Sequence, residues 1–348
     1  MRKNSKKNYI NEIIRTNYKC NWSCKFCNVL KTNAYWKEDI SSKEVVYKIL
    51  DLARRYNKEQ LSRLTLSFSW WEPTLNKNLK SFIKLAKYIW VWVVQIQTNG
   101  SILFKNKNII DELISAWLDE VFLAQHSCDE EINRELWSIY NISDFVDWVD
   151  YMKRNRIHEK ISIYLNIVIT KINVYSIYEY MKFLFDIWFM DIVPLETNND
   201  FINKKKICFW FVQPNWYAHL NRDKVLLDFN DNQIREIHRI FELCRERNIF
   251  TDLHFTSPPL CILDYPKEYN LEYLRLKELE KNKKRWNIDR VNLESYKILW
   301  KEKQKIKECK KCKYDKYCLW FYKNWIEFVG EEYVRERIKK SFKYSHYE

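Results

Sequence analysis

Glycine is almost missing from this chain. Only Gly100 and Gly330 occur in 348 residues, where an average composition would supply roughly 24. Tight turns need residues that adopt φ > 0, and glycine fills most such positions. Something else must therefore stand at those turns. Tryptophan, ordinarily rare, occurs 16 times. Several tryptophans stand where a turn or helix cap is expected: Trp70-Trp71 before Glu72-Pro73, Trp188 after a helical segment, and Trp216 in Pro214-Asn215-Trp216. The pattern predicts that many of these positions are glycine in the living cell, as when a genome that reads UGA as glycine is translated with UGA as tryptophan. The contrary reading is a genuinely Trp-rich protein, and the codons decide between them.

Other absences narrow the class. No run of 18 apolar residues is present, which argues against a membrane-spanning helix. The start, Met1-Arg-Lys-Asn-Ser-Lys-Lys, is basic, but no apolar segment follows as in a secretory signal. Ten cysteines without that context, and clustered, fit a cytoplasmic protein whose thiols stay reduced. The net charge is +14, from 60 Lys+Arg against 46 Asp+Glu. That leaves room for a nucleic-acid partner. However, the basic residues are dispersed apart from Lys204-Lys205-Lys206 and the stretch around 310–313, which favours ordinary solvated faces.

Cys20-Asn-Trp-Ser-Cys24-Lys-Phe-Cys27 places three thiols at C-x3-C-x2-C spacing. Three such thiolates can hold three irons of a [4Fe–4S] cluster and leave the fourth iron open for a small molecule. Around this run, apolar periodicity predicts alternating strands and helices. The strands are Asn11–Arg15, Leu61–Ser69, Val91–Gln97, Glu120–Ala124, Ile161–Ile169 and Met190–Val193. The helices are Ser42–Tyr56, Leu79–Ile89, Ile109–Ala116, Glu130–Lys153 with a break near Trp137, and Val174–Ile187. About six alternations read as parallel βαβ units: an α/β chain forming a partial (β/α)6 TIM-like barrel, with a small C-terminal cysteine-rich metal-binding extension. The predicted domains are 1–250 and 251–348. The cysteine loop, Trp70-Trp71-Glu72-Pro73, Thr98-Asn99-Gly100 and Gln125-His126-Ser127 each follow a predicted strand, so all four should share one face. Beyond residue 200 the pattern predicts a hairpin over Cys208–Phe229, a helix over Asn232–Arg247, and a charged helical or loop region over Glu268–Lys307.

The cysteine run after a first strand resembles the signature of the radical S-adenosylmethionine (SAM) superfamily. Ser69-Trp70-Trp71-Glu72-Pro73 resembles that family's Ser-Gly-Gly-Glu-Pro. Gln97-Thr98-Asn99-Gly100 resembles its Thr-Asn-Gly segment. Asn166, with Asn173 seven residues on, resembles its fifth-strand pattern. The resemblance covers roughly residues 8–250. It implies a SAM-binding [4Fe–4S] cluster on Cys20, Cys24 and Cys27, with SAM on the open iron. Reductive cleavage of SAM would give a 5′-deoxyadenosyl radical that takes a hydrogen from the substrate. It implies Phe26 near the adenine, Trp70, Trp71 and Glu72 at the methionine amino group, and Thr98, Asn99 and Asn166 around the cofactor. Gln125 or His126 would meet ribose or carboxylate. It also implies an electron donor such as flavodoxin or ferredoxin. The departure is Trp70-Trp71, since two indoles would fill the turn where glycines let the backbone approach SAM.

Cys309-x2-Cys312-x5-Cys318 is a second metal-ligand spacing, and Cys261 can supply a fourth thiolate. A closed four-thiolate site reads as an auxiliary [4Fe–4S] cluster or a structural zinc. The spacing with its following aromatic segment resembles the SPASM/Twitch extensions of radical SAM peptide maturases, and with so few cysteines left, the shorter Twitch form. That extension implies a peptide or protein substrate. The basic charge motivates an RNA-modifying alternative. A literal Trp70-Trp71 motivates a non-catalytic metal-binding protein. Cys128, Cys208 and Cys244 read as structural thiols, and Trp325 as a true core tryptophan.

Overall fold

The structure is a computed structural model. It describes residues 10–27, 39–138, 140–195, 205–212, 214, 216–253, 258–263, 301, 303–311, 318 and 321–344. The chain forms two compact units. The first comprises Met1–Cys24, Val29–Asn166 and Lys182–Leu195. The second comprises Lys25–Asn28, Ile167–Met181 and Glu196–Glu348.

The first unit is built on parallel strands β1 (Ile10–Ile14), β2 (Leu64–Phe68), β3 (Val93–Thr98), β4 (Glu120–Ala124) and β5 (Ser162–Ile169, this unit holding it through Asn166). They pair in chain order, with Ile14 beside Phe68, Phe68 beside Ile96, Thr98 beside Leu123 and Ala124 beside Asn166. Parallel neighbours need crossovers. These are helices α1 (Ser42–Arg55), α2 (Lys58–Leu61), α3 (Leu79–Tyr88), α4 (Ser101–Lys105), α5 (Asn108–Ile114), α6 (Glu130–Leu136) and α7 (Ile142–Arg154). In α1, Ser41 caps the first turn by accepting from the Glu44 N–H, and Val45, Ile49 and Leu52 form the buried stripe. Trp137 breaks the Glu130–Arg154 segment with a left-handed backbone, as expected for that stretch.

Alternation along the strands sorts side chains between two faces. Leu64, Leu66 and Phe68, then Val94 and Ile96, then Val121 and Leu123 are wholly buried. Phe68 meets Phe82 of α3 at 6.4 Å between ring centroids. Burying each such side chain is worth about 1.5–3 kcal/mol, so this helix-facing layer holds the unit together. The opposite face carries Ser67, Gln95 and Glu120, joined by hydrogen bonds of 3.0 Å and 2.7 Å. Parallel strands buried on both faces read as continuous apolar runs. The polar row therefore marks a face kept for something other than core.

In the second unit, β6 (Lys205–Phe211) and β7 (Ile249–Leu253) pair in parallel, Ile207 beside Thr251. Two sequence expectations are corrected. Met190–Val193, in the first unit, is no strand: Phe189–Ile192 is a helical turn following α8 (Ile177–Asp186), because so short a segment with three apolar residues does not separate a buried helix from a strand. Cys208–Phe229 is no hairpin either. β6 finds its partner forty residues on in β7. After Pro214 the chain enters two short helices, Trp216–Leu220 and Arg222–Val225. The helix expected at Asn232–Arg247 runs Asp231–Glu246, capped by Asn230. Lys303–Gln304 and Phe321–Tyr322 form a small antiparallel pair, followed by helices Lys323–Val329 and Glu331–Tyr344. Trp325 donates its indole N–H to the Leu227 carbonyl at 2.8 Å and stacks on Phe321. The charged region 268–307 lies outside the described residues except at its C-terminal end.

Candidate active site at the strand C-termini

Four loops that follow parallel strands meet in the first unit, and Glu72 is the knot between them. Its side chain is wholly buried. Oε1 accepts from the Thr74 N–H (3.0 Å) and from the hydroxyls of Thr74 (2.5 Å) and Thr98 (2.6 Å). Oε2 accepts from the Asn99 N–H at 2.7 Å. Burial pushes the Glu72 carboxyl above the usual range, and these bonds oppose that shift. The Glu72 backbone ties the loop after β1 as well: its N–H donates to the Lys19 carbonyl (2.9 Å) and its carbonyl accepts from Asn17 Nδ2 (2.9 Å). One residue, through its carboxylate and its backbone, thus fixes the loops after β1, β2 and β3 together.

Asn99 carries the connection to the cysteine run. Its Nδ2 donates to Asn21 Oδ1 at 2.8 Å and lies 3.9 Å from Cys20 Sγ. The Trp22 N–H also points at Cys20 Sγ, at 3.4 Å. N–H groups aimed at a sulfur favour its thiolate. Gly100 follows with φ 75°, and a Cβ there would lie 2.4 Å from Phe104 Cζ. This turn therefore needs glycine on both counts. Gln125 closes the arrangement from β4, donating to the Asn99 carbonyl at 2.6 Å.

Two acceptors are left over. Gln125 Oε1 and Asn166 Oδ1 are buried without a hydrogen-bond partner. They belong to adjacent strands, since the Gln125 N–H donates to the Asn166 carbonyl. Orphaned buried acceptors call for a ligand donor, and hydroxyl or ammonium groups would satisfy them. His126 is 2% exposed and stands edge-on to Trp22 at 6.5 Å. Burial holds its imidazole down to about 3, so it is neutral at ordinary pH.

The remaining sequence candidates divide. Cys20, Cys24 and Cys27 are partly exposed, Cys27 and the buried Phe26 belonging to the second unit. Among the described residues, no group of three His, Cys, Asp or Glu side chains is gathered closely enough to hold a metal ion. Three thiols at this spacing are the donor type that an iron–sulfur cluster takes, and Cys20 Sγ lies near the Trp22 N–H and Asn99 Nδ2. Trp70 and Trp71 form the turn after Ser69, both with left-handed backbones. Arg15 lies over the Trp70 ring at 4.2 Å, and Tyr18 meets Trp71 edge-on. Asn173 is wholly buried and accepts from the Thr170 N–H at 2.8 Å, holding its own turn. In the second unit Cys309 is buried, Cys261 and Cys318 are partly exposed, and Cys312 lies outside the described residues.

Sequence reasoning missed Asn17, Asn21 and the Ser67–Gln95–Glu120 row. Asn21 had a signal in its place beside Cys20. The row had one in the polar residues set into three strands otherwise largely apolar.

Comparison with known proteins agrees with this geometry. The Radical SAM superfamily matches residues 14–184. A probable GTP 3',8-cyclase of Sulfolobus acidocaldarius is 25% identical over 170 residues, which are 49% of this chain and 50% of that protein. The chain thus spans about half the length of the curated relative it matches. Among solved structures, anSMEcpe with bound AdoMet and Cp18Cys peptide is 13% identical at a TM-score of 0.56, covering 97% of both chains. Streptococcus suis SuiB bound to S-adenosylmethionine is 17% identical at a TM-score of 0.50, covering 75% of this chain and 53% of that one. The fold is therefore that of a partial (β/α) barrel. With the strand-end loops arranged as described, residues 14–184 match a Radical SAM superfamily domain.

Proposed function

We propose that this chain cleaves SAM reductively and uses the resulting radical to modify a peptide or protein. The observation that carries this reading is the Glu72 knot. It joins the cysteine loop, the 69–73 turn, the 98–100 segment and, through Asn99, Gln125. A [4Fe–4S] cluster held by Cys20, Cys24 and Cys27 would supply the electron and the open iron. The chain's own work is to bind and orient. Glu72 holds the backbone of residues 98–99 and the 69–73 turn in place, leaving that turn to face the amino group of SAM. Gln125 Oε1 and Asn166 Oδ1 offer the two free acceptors, which suit ribose hydroxyls. By the family resemblance, Thr98 and Asn99 would lie around the cofactor and Phe26 near its adenine. His126, buried and neutral, positions the strand end and transfers no proton at ordinary pH.

Residues 1–250 form the barrel core in this reading, and 251–348 a Twitch-like extension. Cys261, Cys309, Cys312 and Cys318 would hold an auxiliary [4Fe–4S] cluster. The peptide substrate draws support from two likenesses: anSMEcpe, matched along 97% of both chains, was solved with a peptide, and SuiB with its precursor peptide. A small flavodoxin or ferredoxin would donate the electron, in the reducing cytoplasm. No described helix is long and apolar enough to cross a membrane.

One observation favours a second reading. Trp70 and Trp71 place two indoles in the turn that must admit SAM. If they are literal, the chain is a metal-binding protein without this activity.

The test is anaerobic reconstitution with iron and sulfide, followed by reduction with dithionite in the presence of SAM. The chain with glycine at 70 and 71 should release 5′-deoxyadenosine. A cluster-loaded chain of that kind yielding none would overturn the enzymatic reading.

A further inference from the structure

Among the described residues, nine that are not glycine have a left-handed backbone: Trp70, Trp71, Trp90, Trp117, Trp137, Arg156, Trp188, Phe229 and Asn248. Six of the nine are tryptophan. Nothing in the chemistry of indole favours φ > 0. A bulky L-residue is strained there, because its Cβ crowds the following carbonyl.

The hydrogen bonds say what these positions are for. Beyond α3, the Trp90 N–H donates to Lys87 O and the Val91 N–H to Ala86 O. Beyond α5, the Trp117 N–H donates to Ile114 O and the Leu118 N–H to Leu113 O. Beyond α6, the Trp137 N–H donates to Arg134 O and the Ser138 N–H to Asn133 O. Each is a Schellman ending, with tryptophan at the one position that glycine ordinarily takes. Beyond α8 the Trp188 N–H donates to Phe185 O in the same way.

Packing does not explain the tryptophans either. Trp90, Trp117 and Trp188 are 63–64% exposed and Trp137 45%. Lys58 over Trp90 and Lys153 over Trp188 are surface contacts. Trp71 has its indole N–H buried without a partner. Trp325 shows the contrast: it is buried, stacked, and its indole N–H is satisfied.

We infer that residues 70, 71, 90, 117, 137 and 188 are glycine in the protein its own cell makes, the gene carrying UGA there and the cell reading UGA as glycine. Trp325 is tryptophan, encoded by UGG. The inference stands on backbone conformation and holds whether or not the chain cleaves SAM. Its consequence for the candidate site is direct: two glycines at 70 and 71 remove both indoles and bare the backbone of the turn.

Three readings test it. The codons at the six positions should be UGA, with UGG at 325. Tandem mass spectra of the protein from its own cells should show glycine at the six and tryptophan at 325. UGG codons or indole masses at the six would overturn the inference. In a host that makes the written chain, Trp90→Gly, Trp117→Gly and Trp188→Gly should each raise the melting temperature, by about 2 °C or more. Trp325→Gly should lower it. Unchanged or lower melting temperatures for the three exposed substitutions would remove the structural ground.

Discussion

His126 makes the protein's stability depend on pH in a calculable way. Its ring is buried and held down to about 3, against 6.5 for a free imidazole; burial is the main cause, and a hydrogen bond with the Gln125 backbone opposes it only partly. The folded pKa lies below the unfolded one, so the stabilising neutral state is fully available above pH 6.5. As pH falls below that, the unfolded chain takes up a proton that the folded chain refuses. Stability should therefore decline by about 1.4 kcal/mol per pH unit from this group, to a total near 4–5 kcal/mol by pH 3. By pH 5 the loss is about 2 kcal/mol, a sizeable share of a typical stability of about 5–15 kcal/mol. Urea denaturation at pH 7.5, 6.5, 5.5 and 5.0, compared with His126→Asn, isolates the slope, since the variant keeps every other titrating group. In proton NMR, the His126 ring should stay flat from pH 8 to 5 while the other histidines are followed alongside. A His126 ring that titrates near 6.5, or equal slopes for the two proteins, would refute the burial argument.

Further outcomes follow from the same geometry. Gly100→Ala forces a methyl to within 2.4 Å of Phe104 Cζ at φ 75°, and should lower stability by about 2–4 kcal/mol in chemical denaturation. Glu72→Gln replaces one acceptor oxygen with an NH2 group facing only donors, and should lower the urea midpoint by the equivalent of about 1–3 kcal/mol. The same change should cut 5′-deoxyadenosine yield from the glycine-restored chain. Cys20→Ala should remove the iron of the first site while Cys309→Ala removes only the metal of the second, as read by iron and sulfide content of the reconstituted protein. Trp325→Phe keeps the stacking but strands the Leu227 carbonyl, and should lower stability by about 1 kcal/mol.

Local chemistry alone determined a good part of this protein. The Cys20, Cys24 and Cys27 spacing, Glu72-Pro73 and Thr98-Asn99-Gly100 are contiguous signals, readable because each sits within one loop. Helices such as Ser42–Arg55 were legible from periodicity and a capping serine, which act within a turn or two. The scarcity of glycine beside an excess of tryptophan is a signal carried by composition alone. Tertiary structure decided what depends on distant partners. It turned Phe189–Ile192 into helix and drew β6 from an expected hairpin to β7, because strand pairing is chosen across the chain. It made Glu72 the junction of the loops after β1, β2 and β3, and left Gln125 Oε1 and Asn166 Oδ1 without donors. It buried His126, which sequence could equally have placed at a ligand. And it put Trp90, Trp117 and Trp137 at helix endings with φ > 0, since only the folded backbone shows where a side chain is sterically out of place.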